Sequence, residues 1–278
     1  MCPRLLTVTC LLCVQVGLSA INILDKRSWG QKGVVLKYFD TGKYAARGGI
    51  LRLWLRETGI PFSEETVPHD EWPALKAELK GTWENPTGEL PMMTYQGKSF
   101  YGTNAIGRYL SRKVKARHFF TSYGQNAEDD FWVDVALEET HSMHNDWAKS
   151  LAGSNVRLFP RKTGFFGKVK RAVVGEGPGP AARRARIQYL KRDRKEHYEV
   201  LEKLLKSRLQ PFIGGFNLSF ADVAIFSTVY DDTLVHGPMV QEYPKLKKHY
   251  LHIGNLPSVK SWIKEKGGDF ALSAVSKK

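Results

Sequence analysis

The chain has 278 residues, enough for one large domain or two small ones. Its 42 Lys and Arg against 28 Asp and Glu leave a formal charge of +14, which points to an acidic partner. All three cysteines, Cys2, Cys10 and Cys13, lie at the extreme N-terminus, so the rest of the chain holds no disulfide framework, cysteine zinc site or thiol nucleophile.

In chain order, positions 5 to 24 carry no charged residue and only Arg4 precedes them. Such a run suits a signal-peptide core, a short membrane anchor or an organellar presequence. The polar, glycine-bearing Ser28-Trp29-Gly30-Gln31-Lys32-Gly33 ends this arm, which is taken as 1–32. A strand at 34–39, a helix at about 45–58, a strand at about 62–67 and a helix at about 71–79 then give a βαβα pattern with a right-handed crossover.

Gly88 to Leu110 is the most informative stretch. Leu90-Pro91-Met92-Met93-Thr94-Tyr95 reads as a buried strand entered by a proline, followed by a Gln96-Gly97 hairpin turn and a second strand. Proline has no N–H for a central ladder, so Pro91 at the mouth of a core strand suggests a special turn and a cis bond. A helix capped by Thr103 follows, with Ala105, Ile106, Tyr109 and Leu110 expected on its inner face.

Past a linker, 125–152 reads as a long helix with Phe131, Val135, Leu137 and Trp147 among its apolar members. An interval rich in Gly, Pro and Arg runs from Gly153 to Pro180, and a helix is expected over 181–209, cationic first and then amphipathic through Tyr198, Leu201, Leu204 and Leu205. Between 151 and 210 there are 16 basic and 5 acidic side chains, so 11 of the 14 excess charges sit there. Phe159, Phe165, Phe166 and Tyr189 are interleaved with these cations, a mix suited to RNA, lipid headgroups or an acidic protein, although a charge run is usually a solvated face. Ser219-x-x-Asp222 reads as a capping box with a folding role, and Trp262 and Ile263 as core.

Together the Leu90-Pro91 turn with its ββα continuation, the first strand Val34-Val35-Leu36-Lys37-Tyr38-Phe39, the Glu71-Trp72-Pro73-Ala74-Leu75-Lys76 segment and the Ser219–Asp222 box resemble the glutathione S-transferase family. The likeness covers roughly 33 to 266 and is greatest to the sigma class, which includes haematopoietic prostaglandin D synthase. It implies an α/β plus all-α fold, with a thioredoxin-like, glutathione-binding domain at 33–113 and an all-helical domain at 125–278 that carries a basic insertion at about 153–195.

The resemblance implies roles for individual residues. Tyr38 would donate a hydrogen bond to the glutathione sulfur, favouring thiolate, and Arg47 would orient that hydroxyl or the thiolate. Trp72 and Lys76, spaced i, i+4 on one helix face, would offer an indole N–H and an ammonium to the glycine carboxylate. Leu90 would lend its backbone to the cysteinyl part, Pro91 would shape the turn, and Thr103 would hold the γ-glutamyl carboxylate at a positive helix end. Tyr44, in one of two apparent insertions (near 41–46 and 81–87), is a weaker rival to Tyr38. His141 and His144, one turn beyond Glu138, have metal-like spacing but are read more simply as exposed or interface histidines.

Three positions depart from the sigma pattern: Gly102 stands for a Gln, Ser142 for an acidic residue that reaches across the dimer, and Glu89 for a Lys or Gln. Each lost charge-assisted bond is worth about 1.5–3 kcal/mol, so glutathione binding is expected to be weakened. Two readings follow. One is a transferase, homodimeric, that conjugates or isomerises a hydrophobic electrophile with glutathione. The other is a catalytically silent transferase fold serving as a structural or assembly subunit of a larger complex, docked through its basic interval. Because glutathione chemistry belongs to reducing compartments, the arm is expected to be an uncleaved anchor or presequence. The expected compartment is then the mitochondrion, with or without membrane association, or alternatively the ER membrane facing the cytosol.

Overall fold

The computed structural model describes residues 33–115, 123–151, 179–268 and residue 270. The N-terminal arm and most of the basic interval lie outside them. Among the described residues no helix is long and apolar enough to cross a membrane.

The first half is a four-stranded sheet with strand order β2-β1-β3-β4. Strand β1 (Val34–Phe39) pairs in parallel with β2 (Phe62–Val67), Val34 opposite Phe62, through the crossover helix α1 (Ala46–Glu57). Helix α2 (Trp72–Lys80) precedes the antiparallel hairpin of β3 (Met92–Tyr95) and β4 (Lys98–Tyr101), and β3 adds to the other side of β1 with Leu36 opposite Met93. The hairpin turns on Gln96 and Gly97, both at positive φ (52° and 73°), which matches the right-handed twist of the flanking strands. Leu90-Pro91 is cis, as the proline at the strand mouth suggested.

Helix α3 is Thr103–Lys115 and α4 Ala127–Ser150. Helices α5 (Pro180–Gln188) and α6 (Arg194–Ser207) are joined by a π turn over Tyr189–Asp193, so the single helix expected over 181–209 is interrupted there. The core helix α7 (Phe220–His236) is followed by α8 (Pro244–Gly254) and α9 (Pro257–Glu265). One apolar cluster runs from Val34 and Leu36 of the sheet through Leu51 and Trp54 of α1 to Phe220, Val223 and Phe226 of α7. At the start of α7 the N–H and hydroxyl of Ser219 both donate to Asp222 Oδ2 (2.8 and 2.6 Å), so the capping box forms as read.

The π turn corrects the reading of the basic helix. It turns Tyr189 and Arg194 inward, where the Tyr189 and Tyr198 hydroxyls donate to the fully buried Asp232 (2.8 and 2.7 Å) and Arg194 pairs with it at 2.7 Å. A buried carboxylate needs partners to offset lost hydration, and these supply them. Tyr189 and Arg194 are therefore structural and not part of a cationic surface. Arg192 meets Asp193 at 2.9 Å and Lys195 lies 3.7 Å from Glu199, so charge there is partly neutralised locally. Arg183 and Arg184 are exposed, while Phe159, Phe165 and Phe166 lie outside the described residues.

The two halves are also joined by a carboxylate. Asp231 of α7 accepts the N–H groups of Ala45 and Ala46 (2.7 and 2.6 Å) at the start of α1. Burial, only partly offset by those two bonds, pushes its carboxyl up to about 7. A folded value raised above the ordinary 3.8 contributes stability that is complete below about pH 4 and lost as pH rises to about 7, on the order of 4 kcal/mol in all. His197, between Glu139 (2.7 Å) and Asp146 (3.3 Å), acts in the same direction. Burial opposes its charge, but the two carboxylates prevail and hold it above its usual value, so its contribution is lost as pH rises through that raised value. Denaturant unfolding at pH 5 and 8 should show lower stability at pH 8, and Asp231→Asn should flatten the slope between pH 4 and 7. An unchanged slope in the variant would assign the pH dependence elsewhere.

Candidate functional site

A cleft of about 340 Å³ opens where the sheet meets the long helix. Arg47, Leu90, Pro91 and Thr103 line it, so the fold brings together four of the seven residues singled out in the sequence. Thr87 of the second insertion, Glu89 just after it, Gly102, and Glu138 and His141 of α4 complete much of its wall.

Thr103 is the most telling of these. Helix α3 was expected to be capped by its hydroxyl, but the carbonyl of Gly102 accepts the N–H of Ile106 (3.0 Å), which makes Gly102 the cap and Thr103 the first helical residue. The Thr103 hydroxyl is left buried with no hydrogen-bond partner among the described residues, in a side chain only 8% exposed. Such an atom is costly unless water or a ligand satisfies it. Gly102 itself sits at φ +82°, a left-handed conformation that strains any L side chain, which gives a local reason for glycine where the sigma pattern has Gln. Ala105, expected on the inner face, is instead exposed and lines the cleft, while Ile106 and Leu110 are buried.

Tyr38 does not itself line the cleft; it is buried, 6% exposed, in an apolar cluster with Phe39, Ala46, Met92 and the cleft residue Leu90. Its ring lies so close to Gly48 that a Cβ there would come within 2.1 Å, so only glycine at this point of α1 admits the phenol. Burial raises the Tyr38 pKa, against the opposing pull of the Arg47 charge and the N–H groups of Arg47 and Gly48. The phenol thus remains a proton donor at neutral pH. Arg47 also bonds through Nη2 to Asn145 of α4, which fixes its guanidinium at the cleft wall.

Trp72 and Lys76 do share a helix face, with the Lys76 ammonium 5.8 Å from the Trp72 ring centroid. The indole stands edge-on to Phe39 at 5.2 Å, in the cluster that holds Tyr38 and Leu90, and neither residue lines the cleft. Tyr44 packs toward the helical half, its ring 6.4 Å from Trp147, so the first insertion docks on α4 and α7. In the second insertion Asn85, fully buried, donates to Glu89 O (2.8 Å) and accepts from Thr87 Oγ1 (2.9 Å), shaping the loop that brings Thr87 and Glu89 to the cleft.

On α4, Ser142 is exposed and absent from the cleft lining, whereas His141 and Glu138, one turn apart, are part of it. His144 is buried 5.2 Å from Trp147. Burial first, then the charges of Arg47 and His141, lower its pKa to about 3, so it stays neutral. Sequence reading noted Glu138 and His141 only for metal-like spacing. What it missed was that α4 turns this face toward the Leu90–Thr103 corner.

Comparison with known proteins agrees with this architecture. Residues 50–113 match the family model for the glutathione S-transferase N-terminal domain and residues 165–266 that for its C-terminal domain, together more than half of the chain. The chain belongs to the glutathione S-transferase family. It is 28% identical to probable glutathione S-transferase 5 of Caenorhabditis elegans over 233 residues, which cover 82% of this chain and 94% of the relative. It is 26% identical to glutathione S-transferase 1 of Ascaris suum over 231 residues, or 83% and 95% of the two chains. Among solved structures, prostaglandin synthase D of Nilaparvata lugens shares the fold with a TM-score of 0.61 at 18% identity, covering 84% of this chain and 97% of that one.

Proposed function

We propose that the cleft binds glutathione and that the chain uses it to conjugate or isomerise a hydrophobic electrophile. The observation that carries this reading is the orphaned, buried hydroxyl of Thr103 at the N-terminus of α3, beside Leu90 and Pro91. A hydroxyl and a positive helix end suit a carboxylate, and an extended stretch at Leu90 suits a peptide. Bound glutathione would supply a thiol whose thiolate is the nucleophile. Tyr38, a phenol whose pKa burial raises further, would donate its hydroxyl hydrogen to that sulfur from behind Leu90, and the Arg47 charge would favour an anion there.

Calorimetry with glutathione tests the reading through Thr103→Val. The valine removes an unsatisfied buried hydroxyl while keeping the branched shape. The melting temperature should hold or rise, while affinity falls about fivefold to tenfold, the worth of one hydrogen bond. Unchanged affinity would take Thr103 out of the site. The position of Tyr38, Trp72 and Lys76 outside the cleft lining favours a second reading, a silent fold acting as a subunit of a complex. Failure of the wild-type chain to be retained on immobilised glutathione would select it.

A further inference from the structure

Far from that cleft in sequence, a second concavity of about 280 Å³ lies between the C-terminal end of α6, the chain that follows it and one side of α8. Its rim is basic: Arg208, Lys245, Lys248, His249 and His252 all line it. Among the described residues no carboxylate lies within ion-pair distance of the Lys245 or Lys248 ammonium. The nearby acids are engaged elsewhere. Asp129 takes Arg208 Nη2, Glu202 takes the Lys206 ammonium (3.0 Å) and the N–H of Leu246 (2.8 Å), and Asp222 takes His249 Nε2 (2.8 Å).

Two buried polar atoms of the lining are left over. His249 is only 6% exposed, and with its Nε2–H committed to Asp222 its Nδ1 has no partner among the described residues. Arg208 Nε, in a side chain 9% exposed, likewise has none. Natural structures rarely bury such groups without a ligand or water to meet them. The lining also has apolar members, Leu205, Pro211 and the almost fully exposed Leu209, and beside it Phe212 lies 5.4 Å from the His252 ring, edge to face.

We propose that this concavity binds a phosphate monoester carried on a small apolar body. Two unpaired ammonium groups match a dianion, and the unpartnered Arg208 Nε–H and His249 Nδ1 of the lining would add a donor and, for the O–H of the monoanion, an acceptor. The exposed apolar surface of Leu209, beside Leu205 and Pro211, suits the body of an ester better than bare phosphate. None of these residues lines the Thr103 cleft, so the site does not depend on glutathione binding.

Titration of the full chain with phenyl phosphate and, separately, inorganic phosphate tests it, followed by calorimetry and by the His ring signals in nitrogen-15 spectra. Phenyl phosphate should bind in the millimolar range or better and shift the His249 and His252 signals, with inorganic phosphate weaker by about tenfold. Lys245→Ala with Lys248→Ala should weaken phenyl phosphate at least about tenfold with no loss of melting temperature, because both ammonium groups are exposed. Equal affinity in the double variant, or no binding of phenyl phosphate at about 10 mM, overturns the site. Equal affinity for the two probes overturns the ester.

Discussion

Arg194→Leu should cost about 3–5 kcal/mol of stability, a larger loss than expected from any exposed substitution in this chain. Asp232 is fully buried at the heart of α7, and Arg194 supplies its only positive partner among the described residues, with Nε at 2.8 Å and Nη2 at 2.7 Å. The same guanidinium reaches the carbonyls of His236 and Gly237 at the end of α7. Leucine would leave a buried carboxylate with only two phenols, Tyr189 and Tyr198, to replace its hydration. The double change Arg194→Leu with Asp232→Leu should recover much of the loss, since removing both charges removes the unpaired one. Urea unfolding of the three proteins measures it. Equal stability of the single variant and wild type would show that the tyrosines alone satisfy Asp232.

The Arg194–Asp232 pair also shows where the sequence stopped being informative. Sequence places Arg194 in a cationic run with Lys191, Arg192 and Lys195, and helical periodicity alone cannot say that a π turn rotates it inward. The local signals were strong where few backbone solutions exist: a proline at a strand mouth and a Gln-Gly turn in the thioredoxin-like half, and a Ser-x-x-Asp box at the start of the core helix in the other. The site was legible to the same degree as its backbone: Leu90, Pro91 and Thr103 come from that turn and helix start. Glu138 and His141 were not, since their place depends on how two halves dock. That docking is set by long-range bonds, Asp231 to Ala45 and Ala46 and Arg47 to Asn145, which carry no local pattern. Trp72 and Lys76 mark the converse limit: their i, i+4 spacing put them on one face, but not on the face that meets the cleft.

For the chemistry itself, Tyr38→Phe should lower glutathione-dependent conjugation by about tenfold to a hundredfold while leaving the melting temperature nearly unchanged. The ring fills the space over Gly48 and packs with Phe39 at 5.3 Å, and phenylalanine keeps that packing. Only the hydroxyl is lost, and with it a donor that burial holds protonated. The loss should fall on kcat and kcat/KM together, because a bond to sulfur strengthens as thiolate forms and adds little to ground-state binding. The pH at which activity reaches half its plateau should also move upward in the variant, since removing a donor to the anion favours thiol over thiolate. Turnover equal to wild type, with the same pH profile, would assign sulfur activation to another group. A fall of several degrees in melting temperature would make the hydroxyl structural instead, tied to the Arg47 and Gly48 N–H groups at the start of α1.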